Sequence, residues 1–497
     1  PGVFGELMRI GMKSQPNSMK SGNTVFSLLS SFGPRVALKD ESEAVVKYSS
    51  ILDLCNTKPF HKTQRSLTFC LIDNDLGGIS GYLALLAGQS VPVMLNSSIP
   101  EDQLRQLIEC YKPRYLWCPL SRAEKIKNAL CLMSLYGYGL IELQSSEIKI
   151  HPSVALLLAT SGSTGSPKFV KLSQQNILSN AASIVEYLGL NSSSIPITTM
   201  PPNYSYGLSI IHSHIMVGAT IAVTSKTLFD KGFWDFLKAS RATSFNGVPF
   251  HYDILKKLRF FKMDLPYLTT LTQAGSKMDP KISLEYAKFC KLSGRHFITM
   301  YGQTEASPRI AYLPSEFSIS KPASIGIPVP GGEIWLEDEN GARIFRENVV
   351  GELVYKGPNV FLGYAKDYKD LATGDEQFGI LRTGDLAKVD VDGAYFIVGR
   401  KSRFIKLFGH RVSLQDIENK LLKNGFEVLC GGTDDLIEVF ANSLSVDHGS
   451  EIKRLMIKLF KIPPRSVSVY GLLKFPRNDF GKIQYHKLNA KNAVLLT

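Results

Sequence analysis

The 497 residues carry 44% hydrophobic and 20% charged side chains, which excludes a disordered or fibrous chain and leaves room for about three domains or subdomains. The net charge of +13 raises the question of nucleic acid. Residues 401–497 alone hold 16 Lys and Arg against 9 Asp and Glu. No helix-turn-helix, zinc-finger or RNA-binding signature accompanies this basic stretch, so a small anionic ligand or an acidic protein suits it as well as nucleic acid does, and a solvated basic face is the plainer alternative.

Along the chain, Ser66–Ile72 is expected to be a strand, Gly77–Ala87 a helix and Val91–Leu95 a strand. The uncharged run from Leu76 to Leu95 is therefore a buried helix and a buried strand, and its glycines and Pro92 argue against a membrane span. Gly218–Ser225 and Phe233–Ser240 repeat the strand-helix alternation, the signature of an α/β fold with largely parallel sheets. His212 and His214, two apart, do not share a helix face and are expected to pack rather than to bind metal. Between about 350 and 400 the texture changes to short strands punctuated by Gly and Asp: Gly351–Tyr355, Leu386–Asp390 and Ala394–Val398. Beyond Gly399 and Arg400 the chain turns basic, with one amphipathic helix at Ser413–Leu422, so a domain boundary is expected at about 400. The seven cysteines show no CxxC pair and are expected to be reduced, mostly buried thiols. No secretory signal pattern is visible, and a cytoplasmic location is the expectation.

Residues 155–168 read ALLLATSGSTGSPK, an apolar strand running into a Gly/Ser/Thr loop that ends in Lys168. Gly162 and Gly165 permit close backbone approach to an anion, Ser161, Ser163 and Thr164 offer hydroxyls, and Lys168 adds a full charge. The spacing does not fit the Gly-x4-Gly-Lys-Ser/Thr phosphate loop.

This loop, together with Tyr301-Gly-Gln-Thr-Glu305, Gly351-Glu-Leu353, Thr383-Gly-Asp385, Gly399-Arg400, Ile405-Lys406 and Gly481-Lys482-Ile483, resembles the adenylate-forming superfamily. That superfamily contains the acyl-CoA synthetases, the adenylation domains of nonribosomal peptide synthetases, and firefly luciferase. The texture is most similar to bacterial acyl-CoA synthetases. The resemblance implies an α/β fold with a large N-terminal domain of stacked sheets over 1–399, including a β-rich subdomain at about 325–399. A small mobile α+β C-terminal domain follows over 400–497, on a hinge at about 400–403. It implies an enzyme that uses ATP and Mg²⁺ to convert a carboxylic acid to acyl-AMP, then passes the acyl group to the thiol of CoA or of an acidic acyl carrier protein. An amide-forming ligase and a non-catalytic nucleotide-binding module are the alternatives.

By the same resemblance Thr160, Ser161, Gly162, Ser163, Thr164, Gly165 and Lys168 hold the β- and γ-phosphates. Gly275, Tyr301, Gln303, Asp385, Arg400 and Lys406 surround the nucleotide, with Tyr301 on adenine and Asp385 on the ribose hydroxyls. Thr304 contacts the α-phosphate, Glu305 binds Mg²⁺, and Lys482 brings positive charge to the reacting carboxylate. Asn203, Tyr204, Ser205, Tyr206, Asn246 and Gly247 are expected to line the acid pocket. From Met200 through His214 there is no acidic residue to pair with an α-ammonium group, so α-amino acids are disfavoured and a short, hydroxylated or aryl acid is expected.

Overall fold

The computed structural model describes residues 24–57, 60, 65–88, 90–124, 130–143, 147–159, 168–407, 410–433, 436–477 and 483–497. It divides into two compact units, one comprising residues 1–335, 354–382 and 389–396 and the other 336–353, 383–388 and 397–497. The strands Glu333–Glu337, Ile380–Val389 and Tyr395–Arg400 each contribute residues to both units. No described helix is long and apolar enough to cross a membrane.

In the first unit, an eight-stranded sheet has Ser66–Ile72 at its centre, parallel to Ser90–Asn96 on one side and Tyr115–Pro119 on the other. Every residue of Ser66–Ile72 is buried, as suits a parallel strand covered on both faces. The run from Leu76 to Leu95 proves to be the helix Leu76–Ala87 and the strand Ser90–Asn96. Asp75 caps the helix by accepting from the Gly78 amide. The glycines in this helix have a packing reason: a Cβ on Gly81 would lie 2.1 Å from the Trp117 indole, whose Nε1–H donates to the Gly77 carbonyl at 3.1 Å. Leu156–Ala159 pairs antiparallel with Phe169–Leu172, Ala159 opposite Phe169. Lys171 on that second strand is fully buried, and its ammonium is answered by the Asp370 and Thr373 carbonyls, the Thr373 hydroxyl and the Glu376 carboxylate.

A second sheet of the same unit runs Ser244–Gly247, Thr270–Gln273, His296–Gly302, Arg309–Leu313, Ile327–Pro328. The first three strands are parallel and the last two turn antiparallel. Carboxyl ends of parallel strands are where α/β proteins place ligands, and Gly247, Gln273 and Gly302 stand there. Beside it the helix Ser205–Met216 is almost wholly buried. His212 and His214 both lie on it. His212 Nε2 bonds the Tyr82 hydroxyl at 2.7 Å and His214 Nδ1 bonds the Ile210 carbonyl at 2.8 Å. Burial pulls their pKa values down to about 3 and about 4, so both are neutral packing residues at physiological pH. The expected strand at Gly218–Ser225 shortens to Ile221–Ala222, because the Ala219 amide turns back to the His214 carbonyl and the Thr224 amide goes to the Thr198 hydroxyl.

In the second unit, Val428–Thr433, Leu436–Ala441, Val467–Gly471 and Val494–Leu495 form a four-stranded sheet. It packs with the helices Leu414–Lys423 and Val446–Phe460 around Ile417, Leu421, Val439, Ile452 and Met456. All seven cysteines are free thiols, five of them buried.

The Gly81 contact makes a test of the core. Gly81→Val must displace the Trp117 ring, and such overpacking should cost about 1–3 kcal/mol, read as a lower melting temperature. Valine's better helix propensity would by itself raise that temperature slightly, so the sign of the shift separates the two effects.

Candidate functional site

Residues 160–167 and 478–482 lie outside the described residues, which removes Thr160, Ser161, Gly162, Ser163, Thr164, Gly165 and Lys482 from structural account, and the side chain of Lys406 with them. The remaining residues of interest are described within each unit separately.

In the first unit the strand His296–Gly302 ends at Tyr301 and Gly302, and the chain reverses into Arg309–Leu313 with Gly302 opposite Arg309. A Cβ on Gly302 would lie 1.7 Å from the Pro308 carbonyl oxygen, so no larger residue fits this reversal. Gln303, Thr304 and Glu305 fall within it. Buried Thr304 meets the buried Ser205 hydroxyl, oxygen to oxygen 3.2 Å. The Glu305 carbonyl accepts from the Phe361 amide at 2.9 Å, and its carboxylate Oε1 accepts from the Tyr364 hydroxyl at 2.7 Å. The Lys168 ammonium sits 3.9 Å from the centroid of the same Tyr364 ring. Tyr364 thus joins the end of the Gly/Ser/Thr loop to the acidic residue of the YGQTE turn. Sequence reasoning missed it, because Glu305 lies 59 positions away along the chain and Lys168 further still.

The expected acid-pocket residues gather beside this turn. Tyr206, on the first turn of the helix Ser205–Met216, bonds Thr272 Oγ1 at 2.8 Å, and Thr272 donates to Asn246 Oδ1 at 2.7 Å. Asn246 Nδ2 is buried without a partner among the described residues. Tyr204 lies edge-on to Tyr206, and its hydroxyl comes within 2.7 Å of where a Cβ on Gly275 would stand; with φ at +90° Gly275 also needs the freedom of glycine. Burial raises the pKa of both tyrosines, with the Arg309 charge pulling the other way, so both are neutral hydroxyls. Asn203 is half-buried just before the helix and Gly247 closes its strand.

Arg309 is the second residue the sequence reading passed over. Only 3% exposed, it lays its guanidinium 4.4 Å from the Tyr206 ring centroid and lies close to the Tyr187 hydroxyl, which donates to Met300 Sδ at 2.9 Å. Among the described residues its Nε has no partner, and no carboxylate forms an ion pair with it. The signal was available: a lone cation opening the otherwise apolar stretch Arg309–Leu313, four residues after Glu305.

In the second unit Asp385 and Arg400 are brought together, Arg400 Nε donating to Asp385 Oδ1 at 2.8 Å, while Thr383 Oγ1 holds the Leu353 carbonyl and receives the Asp385 amide. Lys401 pairs with Glu352 at 2.7 Å. Arg403 binds Glu418 at 2.5 Å and the Cys430 carbonyl at 2.8 Å, and stacks 3.7 Å from the Tyr485 ring centroid. Burial raises Glu418, opposed by Arg403, the Cys430 amide and the Tyr485 hydroxyl. Among the described residues there is no group of three or more His, Cys, Asp or Glu able to hold a metal ion.

Comparison with known proteins adds a lineage to this geometry. The AMP-binding enzyme family matches residues 70–365. A 2-succinylbenzoate–CoA ligase of Bacillus pumilus is 30% identical over 414 residues, 80% of this chain and 82% of the relative. An oxalate–CoA ligase of Arabidopsis thaliana is 27% identical over 362 residues, 68% of each chain. The fold is similar to that of o-succinylbenzoate coenzyme A synthetase from Bacillus subtilis in complex with ATP and magnesium ion, with a TM-score of 0.72 at 20% identity over 94% of this chain and 99% of that one.

The Arg403 cluster yields a stability test. Arg403→Met should leave Glu418 as an uncompensated buried charge and cost about 3–5 kcal/mol, which Glu418→Gln in the same chain should largely restore. A raised folded-state pKa contributes stability below the unfolded value that is lost as pH rises through the folded one. The single variant's melting temperature should therefore recover in acid, whereas a pH-independent deficit would contradict the pairing.

Proposed function

The chain belongs to the AMP-binding enzyme family, and on that premise we propose how its own residues divide the work of an AMP-forming acid-thiol ligase. The reaction is ATP-dependent activation of a carboxylic acid to acyl-AMP, with loss of pyrophosphate and transfer of the acyl group to a thiol. Its physical difficulty is charge, because a carboxylate must approach the α-phosphorus of a polyanion. Catalysis is then mostly positioning and electrostatic stabilisation.

The observation that carries this division is the arrangement in the YGQTE turn, where Thr304 meets Ser205 and Glu305 meets Tyr364 at the carboxyl ends of parallel strands. Thr304 donates to the α-phosphate, and Ser205 holds its hydroxyl in position. Thr160 through Lys168 cradle the β- and γ-phosphates. Tyr301 covers adenine, with Gly275 and Gln303 beside it. Asp385 accepts the ribose hydroxyls, held by Arg400, with Lys406 nearby. Lys482 brings positive charge to the acid's carboxylate as negative charge builds on phosphorus. Glu305 fits a hard cation: one of its oxygens is oriented by Tyr364, and the carboxylate forms no ion pair among the described residues. Mg²⁺ when bound offsets the phosphate charge.

We assign the large domain to 1–399, with its β-rich part at about 325–399, and the small mobile domain to 400–497. The Arg403 contacts to Glu418, Cys430 and Tyr485 favour a hinge that turns at Arg400, Lys401 and Ser402. The acid is short, hydroxylated or aryl. The relatives' named acids, oxalate and 2-succinylbenzoate, are one short and one aryl, and Tyr204, Tyr206 and Asn246 supply neutral hydrogen-bonding groups. CoA is the acceptor that the two CoA ligases support; a carrier protein would be received by the same basic C-terminal stretch.

Acid-dependent pyrophosphate exchange into ATP tests this reading. Lys482→Ala should lower exchange by about 100-fold or more without changing thermal unfolding; undiminished exchange would sink the assignment. Tyr364→Phe removes one hydrogen bond, worth about 1 kcal/mol, and should raise the half-saturating Mg²⁺ concentration about fivefold, an unchanged Mg²⁺ profile counting against Glu305 as its ligand. α-Amino acids should not support exchange, and strong exchange with any of them would refute the pocket.

A further inference from the structure

Among the described residues of the first unit Lys171 and Arg309 are buried cations, and their surroundings differ. Lys171 has a carboxylate, a hydroxyl and two carbonyls around its ammonium. Arg309, 3% exposed, has the Tyr206 ring face and the Tyr187 hydroxyl, an orphaned Nε, and no ion-pair partner among the described residues. A cation-π contact offsets only part of what it costs to strip a guanidinium of water.

The backbone around Arg309 is firmly held. Its carbonyl is fixed by the Asn180 and Asn359 side-chain amides at 3.2 and 2.8 Å, and the residue pairs with Gly302 in the sheet. The planar fork is therefore delivered to Tyr206 from a rigid strand. From the Tyr206 hydroxyl, the Thr272–Asn246 chain leads to a second buried donor without a partner among the described residues, Asn246 Nδ2. Both orphans are donors, so what is missing is an acceptor, and beside a guanidinium the matching acceptor is an anion.

We infer that Arg309 is a specificity residue for the acid, and that the substrate carries a second carboxylate which the Arg309 guanidinium receives while the first carboxylate is adenylated. This rests on the reading of Tyr204, Tyr206 and Asn246 as the acid pocket, and deepens it from an acid of suitable size to a dicarboxylic acid. The same charge repels an α-ammonium group, which gives the rejection of amino acids a second cause. A monocarboxylic acid would leave the guanidinium unanswered at the moment the pocket closes over it, and sites with an unanswered buried donor discriminate strongly.

The test uses the full chain with matched pairs: glutarate and phthalate against their monomethyl esters, measured by pyrophosphate exchange and, separately, by calorimetric binding of the free acids. The wild type should prefer the diacids by about 100-fold or more in kcat/KM. Arg309→Met should abolish that preference, chiefly by raising KM for the diacid, and Arg309→Lys should keep part of it. Esters that serve as well as diacids, or an Arg309→Met preference equal to wild type, would overturn the inference and leave adenylation standing. Diacid binding that depends on Arg309, with no exchange from any acid, would instead overturn the adenylation reading and keep the inference. Neither binding nor exchange would overturn both. If Arg309→Met does not fold, the wild-type pairs and Arg309→Lys decide the matter.

Discussion

The approach of Gly302 to the Pro308 carbonyl is the constraint on which the first unit's site depends. Because no Cβ fits there, the chain can leave one strand at Tyr301 and return in the next at Arg309 within a tight reversal. That reversal orients three side chains at once. Thr304 turns to Ser205, Glu305 to Tyr364, and Arg309 to Tyr206. A looser turn would deliver the same residues without the same directions, and catalysis by positioning tolerates little of that.

Hydroxyl groups do most of the local fixing. Ser205, Tyr206, Thr272 and Tyr364 each bond another residue of the site, and burial keeps the Tyr206 hydroxyl protonated well above neutral pH. Full charges are used sparingly and differently. Lys171 is a structural cation, enclosed by acceptors that tie its strand to the loop around Asp370 to Glu376. Arg403 is another, locked to Glu418. Arg309 stands apart because its described neighbours are aromatic rings and hydroxyls, with no acid among them.

Much of this was legible in the chain itself. The strand-helix-strand alternation over Ser66–Leu95 follows from apolar runs whose lengths and glycines suit buried elements, and the helix Leu414–Lys423 from its amphipathic spacing. The YGQTE, TGD and GR segments could be picked out because each packs its chemistry into a few consecutive residues. Tyr364 could not, since its link to Glu305 and Lys168 closes only when the strand Gly363–Ala365 pairs with Phe169–Leu172. The strand at Gly218–Ser225 was overread for the opposite reason: local apolar propensity was present, and regular strand pairing reaches only Ile221 and Ala222, opposite Leu38 and Lys39.

Sequence alone thus determined the fold class and the family resemblance, because periodicity and short motifs are properties of neighbouring residues. Only the tertiary structure decided that Thr304 meets Ser205 and Glu305 meets Tyr364, that Asp385 is held by Arg400, and that Arg309 is buried beside Tyr206 with no carboxylate paired to it among the described residues. Those facts depend on residues brought together from distant positions by sheet register and close packing, and burial sets what an unanswered charge costs.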